Sequence, residues 1–101
     1  MAVSISDRVA EIVDKIELGD SFEIKLRHIL EWNIQSRLAV YEMINRRLRQ
    51  KYQMSLEEFE QNHMLQKLNY SFEAESDYHD WDRAVDGIAS LRTFLNRLRE
   101  I

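Results

Sequence analysis

The feature that most constrains the fold of this chain is the near absence of residues that interrupt helices. The 101 residues include no proline and only two glycines, Gly19 and Gly87. Because proline and glycine mark most turns, a chain with so few has few turns and long, uninterrupted elements. Apolar residues recur at the spacing of one helical face through most of the sequence, which predicts an all-α protein. The length is that of a single domain covering residues 1–101.

Composition argues against several classes of function. The net charge is −4, whereas a general nucleic-acid binder is basic overall. The chain has no cysteine, so disulfides, zinc–thiolate sites and cysteine nucleophiles are excluded. The longest apolar run, "LAVY", is far too short to cross a bilayer, and charge begins too early for a signal peptide. A cytoplasmic protein without a membrane partner is the expectation.

Two helices are predicted in the amino-terminal half. The first begins at Ser4 or Ser6, carries one apolar stripe and ends near Leu18. Gly19 then suits the end of a helix. Asp20, with a glutamate three residues later, is an N-cap signal of the capping-box kind. The two helices therefore form a hairpin around a tight Gly-Asp joint.

The second helix is the longest element, from about Ser21 to about Tyr52. One apolar stripe runs along it at spacings of four and three residues: Leu26, Leu30, Ile34, Leu38, Tyr41, Ile44 and Leu48. Further apolar residues lie off this stripe, namely Trp32, Ala39, Val40 and Met43. The apolar coverage is wider than one neighbour needs, so we expect this helix to be covered on two sides.

Two more helices are predicted in the carboxyl-terminal half. Ser55 and Glu58 form a clean capping box at the start of a third helix. The alternating stretch "NYSFEAES" then predicts an extended segment, and a last helix begins near Ser76 or Asp77. That helix carries a heptad seam of Trp81, Ala84, Ile88, Leu91, Leu95 and Leu98, flanked by Val85 and Phe94. Such a seam needs a helical partner, either the long helix or a second copy of itself.

The segment from Tyr70 to Asp86, here called the acidic segment, combines six acids and one arginine with four aromatic residues. Acids in the first turn of a helix are stabilised by its dipole, which explains two or three of the six without any function. The others resemble a surface for a basic partner, since aromatic side chains supply affinity and acids supply orientation and on-rate. The predicted contact residues are Phe72, Glu73, Glu75, Asp77, Tyr78 and Trp81.

A basic cluster lies near the end of the long helix, comprising Arg37, Arg46, Arg47, Arg49 and Lys51. Cations near the carboxyl terminus of a helix are stabilised by the helix dipole, so the presence of this cluster can be explained without any binding function. Two alternatives stay open. The first is a nucleic-acid site, which the net charge does not favour. The second is an ion-pair contact between this cluster and the acidic segment of a second chain.

Catalytic and metal-binding patterns are weak in this sequence. Glu57-x-x-Glu60 and Asp77-x-x-Asp80 echo the paired acidic motifs of all-α, magnesium-dependent nucleotide pyrophosphohydrolases, because carboxylates suit Mg²⁺. Both pairs, however, stand where acids cap a helix. Glu60-x-x-His63 is half of a di-iron motif without its second copy. We therefore predict no catalytic residue, no metal and no cofactor.

The carboxyl-terminal half, from about Tyr52 onward, resembles a group of small helical prokaryotic proteins taken to be antitoxin components. In that group a tyrosine–glycine–methionine turn precedes a Ser-Leu-Glu-Glu-Phe helix, an acidic extended piece and an Asp–aromatic–Trp helix. Gln53 stands in place of that glycine, and a left-handed turn there would carry about 1 kcal/mol of strain. The matching positions are Tyr52, Met54, Ser55, Leu56, Glu57, Glu58, Phe59, Phe72, Glu73, Glu75, Asp77, Tyr78 and Trp81.

This resemblance implies an antitoxin that sheathes a small basic toxin, usually an RNA-cleaving one, with a segment that orders on binding. The sequence-based hypothesis is thus a homodimeric, bundle-like protein of about four helices, the second antiparallel to the last, acting as a non-enzymatic interaction module. The alternatives are the magnesium-dependent hydrolase and a DNA-binding regulator. The hypothesis requires Glu73 and Glu75 to be exposed and free of cations from the same chain.

Overall fold

The computed structural model describes residues 5–100, which form helices joined by short turns and contain no strand. The prediction of an all-α protein is confirmed, with five helices in this part of the chain rather than four. None of these helices is long and apolar enough to cross a membrane. The helices are α1 (Asp7–Ile16), α2 (Phe22–Tyr52), α3 (Leu56–Gln61), α4 (Met64–Lys67) and α5 (Phe72–Arg99).

Serine hydroxyls begin the first two helices. Ser6 caps α1 by accepting a hydrogen bond from the Val9 amide, whereas the alternative start at Ser4 lies outside the described residues. For α2 the prediction of Asp20 as N-cap is wrong. Ser21 is the cap, because its Oγ lies 3.2 Å from the Ile24 amide nitrogen and accepts its hydrogen bond.

The long helices α2 and α5 pack antiparallel, as predicted. Arg92 donates a hydrogen bond to Glu42 (2.9 Å), and further along α5 Arg99 donates to Glu31 (3.2 Å), earlier in α2. The heptad seam of α5 therefore packs on the long helix of the same chain. Within the seam, Ile88 and Leu98 are partly exposed and the other members are buried: Trp81, Ala84, Leu91 and Leu95.

The predicted extended segment is wrong, because α5 begins at Phe72, four or five residues earlier than expected. Ser71 caps it by accepting a hydrogen bond from the Ala74 amide (3.1 Å). The alternation that suggested a strand does not separate buried from exposed positions. Ala74 is buried, but Tyr70 and Phe72 on the same alternating phase are 58% and 88% exposed.

The third helix is broken into α3 and α4. The capping box is confirmed, since Ser55 Oγ accepts from the Glu58 amide and the Glu58 carboxylate accepts from the Ser55 amide. The break falls at His63, whose backbone is left-handed (φ 51°). Left-handed conformations at Asn69 and Tyr70 then reverse the chain into α5.

The core consists of two clusters along the α2–α5 pair. Trp81, Phe59 and Leu48 are at most 1% exposed and lie at the end covered by α3 and α4. Nearer the other end the core is thinner, with Leu38, Leu91 and Leu95 between 6% and 8% exposed. The whole molecule is an elongated rod of 56 × 26 × 26 Å.

Candidate partner-binding site

Trp81, one of the six predicted contact residues, lies in the core. Its side chain has no exposed surface, and its indole N–H donates a hydrogen bond to Asn45 Oδ1 (2.8 Å). Its ring stacks on Tyr52 at 5.9 Å and meets Phe59 edge-on at 5.5 Å. In this structure Trp81 therefore orders the end of the rod and offers no contact surface.

Glu73 and Asp77 are engaged by Lys51, at the end of α2. The Lys51 ammonium lies 2.5 Å from the Glu73 carboxylate and 2.6 Å from that of Asp77. Tyr52 also donates its hydroxyl hydrogen bond to Asp77 (2.6 Å). The requirement that Glu73 be free of cations from the same chain is therefore not met, and these contacts tie the first turns of α5 to the last turn of α2.

The proton affinities in this cluster follow from its contacts. Partial desolvation acts to raise the pKa of Asp77, but the hydrogen bonds from Lys51 and Tyr52 outweigh it and the net pKa is lowered. Desolvation and the hydrogen bond to Asp77 raise the pKa of Tyr52 to about 12. The hydrogen bonds to Asp77 and Glu73 raise the pKa of Lys51. All three groups therefore hold their ordinary ionisation states over the physiological range.

The remaining predicted contact residues are more accessible. Tyr78 is half-buried, stacks on Phe59 at 5.9 Å and donates its hydroxyl hydrogen bond to Glu60 (2.9 Å). That hydrogen bond, with desolvation, raises the pKa of Tyr78. Phe72 is 88% exposed, and Glu75 is exposed and forms no ion pair within residues 5–100. Of the two glutamates named in the requirement, Glu75 thus meets it within residues 5–100 and Glu73 does not, and Phe72 adds an exposed aromatic ring.

A groove between α3 and α5, here called the acidic groove, gathers carboxylates that the contact prediction did not include. Its volume is about 330 Å³. Leu56, Val85 and Ala89 form its apolar lining, and four acids line it as well: Glu57, Glu60, Asp82 and Asp86. No cation of the described chain lies within ion-pair distance of these four acids. Carboxylates around an apolar lining suit an arginine or lysine side chain, whose alkyl stem packs while its head binds the acids.

One sequence signal for this groove was available. Asp82 and Asp86 are four residues apart, so they share a face of any helix that contains them. Glu75 lies seven residues before Asp82 and continues the same face. What the sequence did not reveal is that α3 crosses α5 at this face and brings Glu57 and Glu60 to it.

The geometry bears on the two alternative sites as well. In the paired motif of the hydrolase alternative, Asp77 is engaged by Lys51 and Tyr52. The acids that line the groove together with Glu57 and Glu60 are Asp82 and Asp86, not Asp77 and Asp80. Within residues 5–100 no group of three or more histidine or acidic side chains is arranged to hold a metal ion. In the basic cluster, Arg46, Arg47 and Arg49 are exposed on α2, whereas Lys51 meets acids of its own chain.

Comparison of the chain with models of protein families, with curated proteins and with solved structures gives no match. The resemblance to antitoxin components therefore stays a prediction from the residues that carry it.

Proposed function

We propose that this protein is a non-enzymatic, antitoxin-like interaction module of the cytoplasm that binds and neutralises a small basic protein, and that it acts as a homodimer. The observation that carries the proposal is the acidic groove, where no cation among residues 5–100 lies within ion-pair distance of the four carboxylates around an apolar lining. Two of these acids accept hydrogen bonds from neutral side chains, Glu60 from Tyr78 and Glu57 from Gln61, so their charge is not neutralised by these contacts. Carboxylates of this kind beside an apolar surface are typical of a site for basic side chains. The net charge of −4 favours the same class of partner.

The proposed contact surface combines the acidic groove with the exposed face of α5. Glu75, Asp82 and Asp86 share this face, and Phe72 adds an aromatic ring that is 88% exposed at the start of the helix. An arginine or lysine of the partner enters the groove, while the acids along α5 orient the partner and speed its approach. Trp81 and Asp77 support this surface from beneath through their contacts with Asn45 and Lys51.

Neutralisation would follow from this mode of binding if the partner cleaves RNA. A basic nuclease needs its cations to hold phosphates, and carboxylates that occupy those cations compete directly with RNA. The antitoxin reading therefore predicts that binding and nuclease inhibition are lost together.

The test begins with purification of the protein from its native host and identification of what accompanies it by mass spectrometry. The accompanying protein is then produced alone, and its dissociation constant is measured by calorimetry against two charge-reversal variants. Asp82→Lys/Asp86→Lys alters the acidic groove. Asp20→Lys/Glu23→Lys makes the same change of charge at exposed positions of the α1–α2 joint and is the matched control.

We expect the groove variant to bind at least tenfold more weakly with unchanged secondary structure, and the control to bind nearly as tightly as the native chain. Higher salt should weaken native binding, because the contacts are exposed charges. Equal affinity of both variants would contradict the proposal. Release of pyrophosphate from nucleoside triphosphates and Mg²⁺ by the pure protein would instead favour the hydrolase alternative.

A further inference from the structure

A pocket beside the turn between α4 and α5, here called the tyrosine pocket, has a volume of about 240 Å³. Its lining comes from α3, from α4 and the turn after it, and from α5. Three aromatic rings and one carboxylate are part of this lining: Phe59, Tyr70, Tyr78 and Glu60. Phe59 belongs to the core, Tyr78 is half-buried and Tyr70 is 58% exposed. The aromatic lining therefore extends from the core to the surface.

The charge of the tyrosine pocket favours a cation. Among the described residues, no lysine or arginine lines it, and none lies within ion-pair distance of Glu60. Tyr78 stacks on Phe59 at 5.9 Å and donates its hydroxyl hydrogen bond to Glu60 (2.9 Å). This contact holds the carboxylate beside the rings without neutralising it, and a carboxylate can accept further hydrogen bonds. Aromatic rings attract cations as well, so both parts of the lining favour the same kind of ligand.

Tyr70 is an aromatic residue at a position where the backbone suits glycine. Its φ of 51° lies in the left-handed region, which is unusual for a bulky side chain. The turn itself needs only the backbone, because the Tyr70 amide donates a hydrogen bond to the Leu65 carbonyl (2.8 Å) and glycine could do the same. The ring is more than half exposed, so core packing does not account for it. What remains is its place in the lining of the tyrosine pocket.

The lining distinguishes among cations. A guanidinium group is planar, stacks on aromatic rings, is weakly hydrated and has N–H donors for a carboxylate. A quaternary ammonium has no donor for Glu60, and a lysine ammonium is strongly hydrated and leaves water less readily. Glu60 also lines the acidic groove, so the two sites adjoin and one basic protein can reach both.

We infer that the tyrosine pocket binds the side chain of an arginine of the basic partner, with the guanidinium against the tyrosine rings and hydrogen-bonded to Glu60. The inference rests on the proposed function for the source of this arginine. The preference of the pocket for a guanidinium group rests on its own lining. Arginine side chains that enter aromatic pockets are among the commonest hot spots of protein interfaces.

The first test uses N-acetyl-L-arginine amide as the probe and the native chain labelled for NMR. The amide signals of Glu60, His63 and Tyr70 should shift with a dissociation constant in the millimolar range, about tenfold below those for N-acetyl-L-lysine amide and tetramethylammonium. Equal shifts with tetramethylammonium would overturn the assignment to a guanidinium. No shift with the arginine amide at about 50 mM would overturn the site.

Two variants separate binding from folding. Tyr70→Gly should weaken probe binding by about tenfold and leave the melting temperature at or above that of the native chain, since glycine suits the backbone there. A purely structural ring predicts the opposite, a lower melting temperature and unchanged binding. Glu60→Gln keeps an acceptor for Tyr78 and removes the charge, so binding should weaken to a similar extent. Glu57→Gln removes a charge from the same helix outside the pocket and should bind like the native chain.

The second test repeats the affinity measurement with the basic partner. Tyr70→Gly should weaken partner binding by about tenfold, as expected for a hot-spot contact. Unchanged partner affinity in this variant would overturn the assignment to a partner arginine. The groove variant Asp82→Lys/Asp86→Lys should still bind the arginine amide. If that variant also keeps its partner affinity, the proposed function fails while the preference of the pocket for guanidinium stands.

Discussion

The two ends of the rod are built on the same helix pair but reach different degrees of burial. At the aromatic end, defined by Leu48, Tyr52, Phe59, Tyr78 and Trp81, three of these side chains are at most 1% exposed. At the open end, defined by α1 and the cluster of Leu38, Leu91 and Leu95, the side chains of that cluster keep 6% to 8% of their surface. The difference lies in what covers the pair, since α2 and α5 run through both ends.

The comparison teaches that two antiparallel helices do not complete a core without a third element across them. At the aromatic end α3 supplies Leu56 and Phe59, and the Trp81 indole finds its acceptor in Asn45. At the open end the third element is α1, which buries Val13 and leaves Val9, Ile12 and Ile16 at least half exposed. The core of the aromatic end is therefore completed within the chain, whereas Val9, Ile12 and Ile16 stay exposed at the other end.

The largest expected effect comes from truncating the centre of the aromatic end. Trp81→Ala should lower the free energy of unfolding by about 3–5 kcal/mol, because it leaves a large cavity. Leu95→Ala, in the thinner cluster, should lower it by about 2 kcal/mol, since its surroundings are looser and can relax. Urea denaturation followed by circular dichroism at one protein concentration measures both. Equal losses would mean that the two ends are packed alike.

A smaller effect is expected from Gly87→Ala, between the two ends, where α5 lies close to Tyr41 of α2. An added Cβ would lie 2.6 Å from Cε2 of Tyr41, so the ring must move. Overpacking of about 1–3 kcal/mol then exceeds the roughly 1 kcal/mol that alanine gains over glycine in a helix. We expect net destabilisation of about 1 kcal/mol in thermal unfolding. In a Tyr41→Leu background the same substitution should become stabilising; if it still destabilises, close packing on Tyr41 is not the reason for the glycine.

Gln53→Gly should stabilise the aromatic end by roughly 0.5 kcal/mol. Gln53 is left-handed (φ 57°), as expected if it replaces a glycine, and glycine removes about 1 kcal/mol of strain there. Part of that gain is offset, because Nε2 of Gln53 donates a hydrogen bond to the Gln50 carbonyl (2.6 Å). Gln53→Ala is the matched control, since it removes the hydrogen bond and keeps the strain. A gain with alanine as large as that with glycine would rule out backbone strain as the cause.

The smallest expected effect is the pH dependence of the contact between α2 and α5 at Lys51. The pKa of Asp77 is lowered from its ordinary value of 3.8, so its contribution to stability is present above that value and is lost as the pH falls through the folded-state pKa. The pKa of Tyr52 is raised from 10.0 to about 12, so its contribution is present below pH 10 and is lost as the pH rises towards 12. Thermal unfolding at pH 3 to 6 should lose less stability in Asp77→Asn than in the native chain, and Tyr52→Phe should do the same above pH 10. Identical profiles for a variant and the native chain would show that its contact contributes nothing.

Local sequence signals predicted the helices more reliably than the turns between them. The stripe through Leu38 and Leu48 and the seam through Trp81 and Leu91 established the two long helices and their pairing, because each helix buries one continuous face. The capping box at Ser55 is wholly local and was equally clear. The sequence pattern did not decide between Asp20 and Ser21 as the N-cap of α2, because aspartate and serine both cap helices well. In the structure it is the Ser21 hydroxyl that reaches the Ile24 amide.

The failure at the start of α5 has a tertiary cause. Ala74 is buried at the aromatic end and fixes the helical phase, whereas the exposed aromatic at Phe72 mimics the alternation of a strand. The acidic groove failed to emerge for a related reason. Asp82 and Glu57 are 25 positions apart in the sequence, and the crossing of α3 over α5 that joins them is a property of the packed structure.

The connection between the two long helices has a consequence for how the molecule opens. Four residues in it, Gln53, His63, Asn69 and Tyr70, hold a left-handed backbone although none is a glycine. Gln53, His63 and Tyr70 each depart from their local backbone preference by about 1 kcal/mol, so this stretch keeps its path only while Phe59 and its neighbours anchor it. If Phe59 and its neighbours leave the core, the left-handed turns lose the packing that stabilises them and should unfold together. Amide hydrogens from about residue 53 to 71 should therefore exchange as one cooperative unit, with a shared opening free energy below that of global unfolding.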